Sequence, residues 1–144
     1  MPWPRRTVVL RHHLPDGSWH CDWLIDVPEA GIGMDPDRVA TFRLGSDPLA
    51  MRPGDPPAAA ERLADHRRHY LTYQGAVSGG RGTVERIVEG IISAAVCDPR
   101  RIELAVALGS SRRRLTLWCE DAAGVGSLWR VQAVSLDRGT PTDR

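Results

Sequence analysis

The sequence contains no lysine, and all 19 of its basic residues are arginine. There are 18 acidic residues, so the formal net charge is only +1. A charge this close to zero argues against a protein that coats a polyanion. Arginine is nonetheless well suited to phosphate, because its planar guanidinium donates two parallel hydrogen bonds. A phosphate-binding function therefore has to be inferred from the positions of the arginines.

Cysteine and long apolar runs are also scarce. The three cysteines, Cys21, Cys97 and Cys119, are an odd number without CxxC spacing. This pattern argues against a disulfide framework or a cysteine zinc cluster and favours a reducing compartment. No apolar run approaches the length of a membrane span, and the first ten residues lack the apolar core of a signal peptide. We therefore expect a cytoplasmic protein that does not bind a membrane.

Long stretches of helical periodicity are rare, and short β-rich runs separated by turn residues dominate. Residues 58–68 are the one helical candidate. The sequence predicts a single domain over residues 1–136, mainly all-β, as a small antiparallel β-barrel with one short helix. Residues 137–144 are expected to form a flexible tail. The predicted strands are 5–12, 18–26, 39–45, 70–77, 83–97 (as one strand or two), 100–109, 112–120 and 127–136.

The stretch HHLPDGSWHCDWLID, residues 12–26, contains three of the five histidines. On a strand, His20 and Asp22 share one face and lie about 7 Å apart at Cα. With His13 across the turn they form a His-His-Asp set suited to manganese, zinc or iron. His12 is the alternative to His13, since adjacent strand residues point to opposite faces. A solvated polar strand face is the other interpretation. The opposite face is apolar and consists of Trp19, Cys21, Trp23 and Ile25.

A second polar cluster lies in DHRRHYLTYQG, residues 65–75, which contains the other two histidines. His66 and Tyr70 are four residues apart and have Arg67 and Arg68 between them. Arginine binds phosphate oxygens, and an imidazole can donate to a leaving oxygen. The alternative is that the tyrosines pack on a strand and the cations lie at a helix end.

Two turns carry further arginines. The glycines of SGGRG, residues 78–82, expose backbone amides around Arg81, an arrangement that favours an anion-binding nest. A plain glycine-rich hairpin is the alternative. The basic turn SSRRR, residues 110–114, fits either a contact to a nucleic-acid backbone or a solvated loop.

The order of these motifs resembles the 3′-phosphoesterase domain of bacterial and archaeal ligase D, an end-joining DNA ligase, and in particular its short stand-alone relatives. The family pattern is a histidine, then His-x-Asp on a strand, and much later a histidine with a tyrosine four residues on, before a glycine-rich turn. The resemblance covers about residues 7–135. It implies that the metal ligands are His13, His20 and Asp22, and that the catalytic residues are His66 and Tyr70.

The resemblance further implies a compact β-barrel that depends on Mn²⁺, with Zn²⁺ as the alternative ion. The implied activity removes a 3′-terminal ribonucleoside and then a 3′-phosphate from DNA ends, alongside end-joining repair proteins. Two positions depart from the family pattern: Leu24 replaces an arginine and Gln74 replaces a glutamate. The N-terminal arm of the ligase-fused domain is also missing. The phosphate contacts are therefore expected from Arg67, Arg81 or Arg11.

Two other functions are compatible with the same residues. The departure at Leu24 and the missing arm favour a catalytically reduced barrel that binds nucleic acid or a repair partner. The near-neutral charge favours a metal-dependent hydrolase of small phosphate esters, since an enzyme that acts on DNA ends usually has a stronger basic face.

Overall fold

The computed structural model describes residues 5–33 and 35–136, so the predicted tail over 137–144 lies outside the described residues. Within these ranges the chain forms ten strands and three short 3-10 helices, and no α-helix. The 3-10 helices are Pro28–Ala30, Pro48–Ala50 and Arg68–Leu71. The strands are β1 (Arg5–His13), β2 (Trp19–Ile25), β3 (Arg38–Leu44), β4 (Ala58–Arg62), β5 (His66–Arg67), β6 (Gly75–Ala76), β7 (Thr83–Asp98), β8 (Arg101–Leu108), β9 (Ser111–Cys119) and β10 (Leu128–Val134).

Eight of the strands form a closed antiparallel barrel, which confirms the predicted fold class. The order around the barrel is β1-β2-β3-β4-β10-β9-β8-β7, and pairing of β7 with β1 closes the ring. The run 83–97 is one strand, whose first part pairs with β1 and whose last part pairs with β8. The two-residue strands β5 and β6 lie outside the ring and pair with β3 and β7.

The predicted helix over residues 58–68 is wrong. Ala58–Arg62 is strand β4, which pairs with β10 on one side and β3 on the other. Compared with most other residues, alanine stabilises a helix by only about 0.5 kcal/mol or less per residue. That local preference is overridden because β4 is the strand that connects the two halves of the barrel, and without it the edges of β3 and β10 would stay unpaired.

The prediction of a strand over residues 70–77 is also largely wrong. Residues 66–82 run across the outside of the barrel as β5, a 3-10 helix, β6 and a glycine-rich turn, and we call them the cover segment. Within residues 70–77, only the two residues of β6 pair as a strand. The apolar residues of this stretch face the barrel wall without forming a strand. Leu71 and Val77 are buried there, and Tyr70 and Tyr73 are partly buried beside them.

Two apolar clusters lie on opposite sides of the barrel wall. The larger fills the barrel and includes Trp23, Phe42 and Trp129, none of which is more than 2% exposed. The smaller lies between the wall and the cover segment. Strand alternation explains the division, since successive residues of β1 and β2 face opposite sides. The smaller cluster consists of Val8, Leu10, Leu24, Val39, Leu71, Val77 and Val84.

All three cysteines are free thiols in the structure. Cys21 and Cys119 are buried, and Cys97 is partly buried near the end of β7. No helix in the described part of the chain has the length and apolar composition needed to cross a bilayer.

Cys97 is expected to react slowly with alkylating reagents at neutral pH. Burial raises the pKa of its thiol from 9.0 to about 11, so little of the nucleophilic thiolate is present at pH 8. Iodoacetamide labelling of the native protein, followed by mass spectrometry, should accelerate steadily up to about pH 11.

The same shift makes stability depend on pH. Between pH 9.0, the ordinary thiol pKa, and about pH 11, the pKa of native Cys97, only the thiol of the unfolded chain ionises. The free energy of unfolding should therefore fall as pH rises through this range. Fast labelling of native Cys97 at pH 8 would contradict this assignment.

Candidate metal centre

The candidate site lies on the outer wall of the barrel, where β1 and β2 pair. His12 and His20 are directly opposite each other across the two strands, and Asp22 follows His20 by two residues on the same face. The His12 and His20 rings meet edge to face, with centroids 4.9 Å apart. The β1–β2 hairpin thus brings the three polar side chains together, and the cover segment lies over them.

His12, and not His13, joins His20 and Asp22. The two neighbours point to opposite sides of β1, and His13 is about half exposed beside Glu85, with Nε2 2.8 Å from Oε1. One ligand atom from each of His12, His20 and Asp22 lies within 4.8 Å of the others. The predicted ligand set of His13, His20 and Asp22 is therefore corrected at His13. The structure places His12, the alternative that the sequence left open, beside His20 and Asp22.

Asp22 is the centre of the cluster and is only 3% exposed. Its Oδ1 lies 3.0 Å from His20 Nε2, and its Oδ2 lies 3.6 Å from His12 Nδ1. The close approach to His20 is not aligned as a hydrogen bond, so both buried atoms lack a hydrogen-bond partner within the described structure. Buried polar atoms without partners are costly. A cation between the imidazole and the carboxylate would satisfy both.

The cover segment fixes the tautomer of His12. Its Nε2 lies 2.7 Å from the backbone carbonyl oxygen of Arg81. A carbonyl only accepts hydrogen bonds, so Nε2 carries a proton, and in the neutral ring Nδ1 presents its lone pair to Asp22. This arrangement is typical of metal-binding histidines, whose second nitrogen donates to a carbonyl or carboxylate. The adjacent Gly82 permits the approach: its φ is +93°, and a Cβ there would clash with the His13 carbonyl.

Two imidazoles and one carboxylate form a donor set that fits a divalent ion. Nitrogen and carboxylate oxygen together suit Zn²⁺, Fe²⁺ and Mn²⁺. A set of three protein ligands also leaves coordination positions for water or substrate, as catalytic sites require. The geometry thus supports the metal prediction for His20 and Asp22 and adds His12.

His66 and Tyr70, the predicted catalytic pair, belong to the cover segment. His66 Nε2 lies 3.9 Å from Asp22 Oδ2, so this histidine reaches the candidate metal centre. Tyr70 is further out, with its ring centroid 6.1 Å from that of His66, and it packs on the smaller apolar cluster. The two side chains are neighbours, as their four-residue spacing predicts.

The three arginines predicted to bind phosphate lie in different surroundings. Arg11 is on the opposite side of β1 from His12 and covers the ring of Trp19 at 4.4 Å. The guanidinium of Arg81 bends back to donate to the Ser78 carbonyl and hydroxyl oxygens. Arg67 is exposed beside His66. Arg67 is therefore the predicted arginine that follows His66 directly in the chain and has no side-chain hydrogen bond in the described structure, although strand alternation directs it away from the face of His66.

The positions that depart from the family pattern have structural roles. Leu24 is fully buried in the smaller apolar cluster. Gln74 Oε1 accepts a hydrogen bond from the Arg86 backbone N–H at 2.8 Å and so attaches the cover segment to β7. Leu24 shares the strand face of Asp22 but has no group that could bind phosphate, and the side-chain oxygen of Gln74 is engaged by the Arg86 backbone N–H.

Two contacts that orient the site have no signal in the sequence. One is the Arg81 carbonyl, because a backbone oxygen carries no residue-specific mark. The other is Asp65, which accepts hydrogen bonds from the backbone N–H groups of Ile32 and Gly33 at 2.9 Å and so anchors the chain next to His66. In the sequence, Asp65 cannot be distinguished from an ordinary surface aspartate, because the amides that it binds belong to residues more than 30 positions away in the chain.

The fold and the cluster together define a class: a closed eight-stranded antiparallel β-barrel with a buried His/His/Asp candidate metal site on its outer wall. Neither the known protein families nor the curated proteins provide a match to this chain.

Proposed function

We propose that the protein is a metal-dependent phosphoesterase that acts on the 3′ ends of nucleic acids. The observation that carries the proposal is the buried cluster of His12, His20 and Asp22. In it, His20 Nε2 and Asp22 Oδ1 face each other and have no hydrogen-bond partner among the described residues. The order of the motifs, which resembles the ligase D 3′-phosphoesterase domain, supports the choice of substrate. A role beside end-joining repair proteins follows from the same resemblance. The proposed cytoplasmic location rests instead on the cysteine pattern, which favours a reducing compartment.

His12, His20 and Asp22 would hold the ion. When bound, a divalent ion supplies a Lewis acid that polarises a phosphoryl oxygen and lowers the pKa of a coordinated water. The other residues serve binding and orientation. Arg67 is exposed and follows His66 directly in the chain, and its long side chain could bring a guanidinium to the phosphate oxygens. Tyr70 offers a hydroxyl and an aromatic face near His66, and aromatic faces stack on the bases of single-stranded ends.

A second candidate function is hydrolysis of small phosphate esters at the same centre. The observation in its favour is the position of the arginines. Leu24 replaces the arginine of the family, Arg11 lies on the far side of β1, and the guanidinium of Arg81 is bonded to Ser78. An extended nucleic-acid backbone would therefore meet fewer cations near the ion than in the ligase D domain.

The matched pair His12→Gln and His13→Gln tests the site. We expect His12→Gln to lower the affinity for Mn²⁺ by at least roughly 100-fold and to remove 3′-end processing, because losing an orienting partner alone costs about 10–100-fold. His13→Gln should behave as the wild type, since His13 contacts Glu85 on the other side of β1. The assay uses labelled primer–templates with a 3′-phosphate or a single 3′-ribonucleotide, supplemented with Mn²⁺.

A chromogenic phosphate monoester, assayed in parallel, separates the two candidate functions. Cleavage of the monoester without processing of either primer end would favour the small-ester hydrolase. Equal loss of metal in both histidine variants, or in neither, would contradict the assignment of the centre to His12.

A further inference from the structure

We propose that His66 is a fourth metal ligand, so that the bound ion attaches the cover segment to the barrel wall. The inference rests on the proposed metal centre of His12, His20 and Asp22 and extends it. The resemblance implies a catalytic role for His66, whereas the geometry points to coordination of the ion.

The orientation of the His66 ring is the first argument. Its Nδ1 lies 3.0 Å from the backbone carbonyl oxygen of Ala64, which can only accept a hydrogen bond. Nδ1 therefore carries a proton, and in the neutral ring Nε2 presents its lone pair. That Nε2 is the atom that faces Asp22 Oδ2. His66 is thus oriented in the same way as His12, with a backbone carbonyl behind the ring and the carboxylate in front of it.

The distances to Asp22 are the second argument. Two ligand atoms on one ion can lie no more than roughly 4.2 Å apart, because each bond is about 2.1 Å long. The nitrogens of His20, His12 and His66 lie 3.0, 3.6 and 3.9 Å from the Asp22 oxygens. All three separations from Asp22 are within that limit. His66 lies outside the group whose ligand atoms are all within 4.8 Å of one another, so its ring would have to move towards His12 and His20 when the ion binds.

Charge is the third argument. Three imidazole nitrogens converge on one buried carboxylate, and the two with a bonded carbonyl, His12 and His66, both direct lone pairs at Oδ2 of Asp22. A neutral imidazole that directs its lone pair at a carboxylate is repelled unless a proton or a cation lies between them. A proton can bridge Asp22 to only one imidazole at a time, whereas one divalent cation can bind all three nitrogens and the carboxylate together.

The consequence is that the ion would organise the whole cover segment. His66 lies at the start of the segment and would bind the ion itself, and Arg81 near its end is hydrogen bonded to His12. Both ends of residues 66–82 are therefore connected to the same centre. Arg67 and Arg81 are exposed within the segment, so trypsin can report whether it is held against the barrel.

The test compares His66→Gln with His69→Gln as a matched control. His69 is the other histidine of the cover segment. Its ring stacks on Tyr73 with the centroids 4.9 Å apart, and it does not belong to the group of His12, His20 and Asp22. Each purified protein is titrated with Co²⁺ while its visible absorption is recorded, since the spectrum depends on the number and type of ligands. Trypsin cleavage after Arg67 and Arg81 is then followed by mass spectrometry with and without the ion. Thermal unfolding without metal shows that each variant is folded.

We expect the wild type and His69→Gln to bind Co²⁺ equally and to gain protection at both arginines. His66→Gln should bind about tenfold more weakly or worse, with a changed spectrum and no protection. Unchanged affinity and spectrum in His66→Gln, with metal bound by the wild type, would overturn this proposal and leave the three-residue centre intact. No Co²⁺ binding by the wild type would overturn both.

Discussion

Asp22→Asn is expected to remove metal binding without loss of stability in the metal-free protein. Asp22 contacts all the imidazoles of the candidate centre, so losing its charge should abolish activity. In the absence of metal, however, Asp22 is a buried carboxylate with an unpartnered oxygen, and neutralising it removes an unfavourable charge. Thermal unfolding with and without Mn²⁺ checks both effects. At 100 times Kd the ion should stabilise the wild type by about 2.7 kcal/mol and the variant not at all.

Asp26→Asn is the matched control for this prediction. Asp26 faces the same side of the chain just after β2, but it forms ion pairs with Arg5 and Arg68 at 3.0 and 2.8 Å. Its neutralisation should lower the free energy of unfolding equally with and without Mn²⁺, because its partners are arginines. A similar loss for Asp22→Asn in the metal-free protein would show that Asp22 is a structural residue and would contradict the metal centre.

Asp65→Ala is expected to lower the free energy of unfolding by about 3–5 kcal/mol, the cost of breaking a buried ion pair. Asp65 Oδ1 lies 3.6 Å from an Nη atom of Arg62, and the two side chains are 9% and 4% exposed. Burial lowers the pKa of Arg62, and Asp65 opposes that shift by stabilising the charged form. Without Asp65 the guanidinium would stay buried against Phe42 and Trp129 without its carboxylate. Urea unfolding followed by tryptophan fluorescence measures the change.

The control is a second aspartate–arginine pair with the same spacing of three residues. Asp35 and Arg38 lie 3.7 Å apart, but both side chains are about half exposed. Asp35→Ala should therefore change the free energy of unfolding by less than about 1 kcal/mol, as is typical of solvated ion pairs. Equal effects at Asp35 and Asp65 would show that burial of the Arg62 pair contributes no extra stability.

Asp65 also connects stability to the candidate site. It precedes His66 directly, and its carboxylate anchors that part of the chain to the backbone of Ile32 and Gly33. Loss of the anchor should weaken metal binding in Asp65→Ala even where the protein remains folded, if His66 is a ligand. The effect would be indirect, so Asp65 is a positioning residue.

Much of the fold class could be predicted because strand alternation is a local property of the chain. The apolar face of Cys21, Trp23 and Ile25 lies in the barrel interior, and His20 and Asp22 lie on the outer side, as the two-residue period requires. The helix predicted over 58–68 was wrong for the opposite reason. Its alanines carry a local preference, whereas closure of the ring between β3 and β10 is a property of the whole sheet.

The candidate site likewise has one part that follows from local strand alternation and another part that depends on tertiary contacts. The sequence by itself determined that His20 and Asp22 share a strand face and that one neighbouring histidine of β1 faces them. Which histidine it is depends on the register of the hairpin. The connection 14–18 pairs His12 with His20, and a shift of one residue would have placed His13 there instead. Only the tertiary structure decided this choice and brought His66 and the Arg81 carbonyl to the cluster, because register and long-range packing depend on contacts between segments distant in the chain.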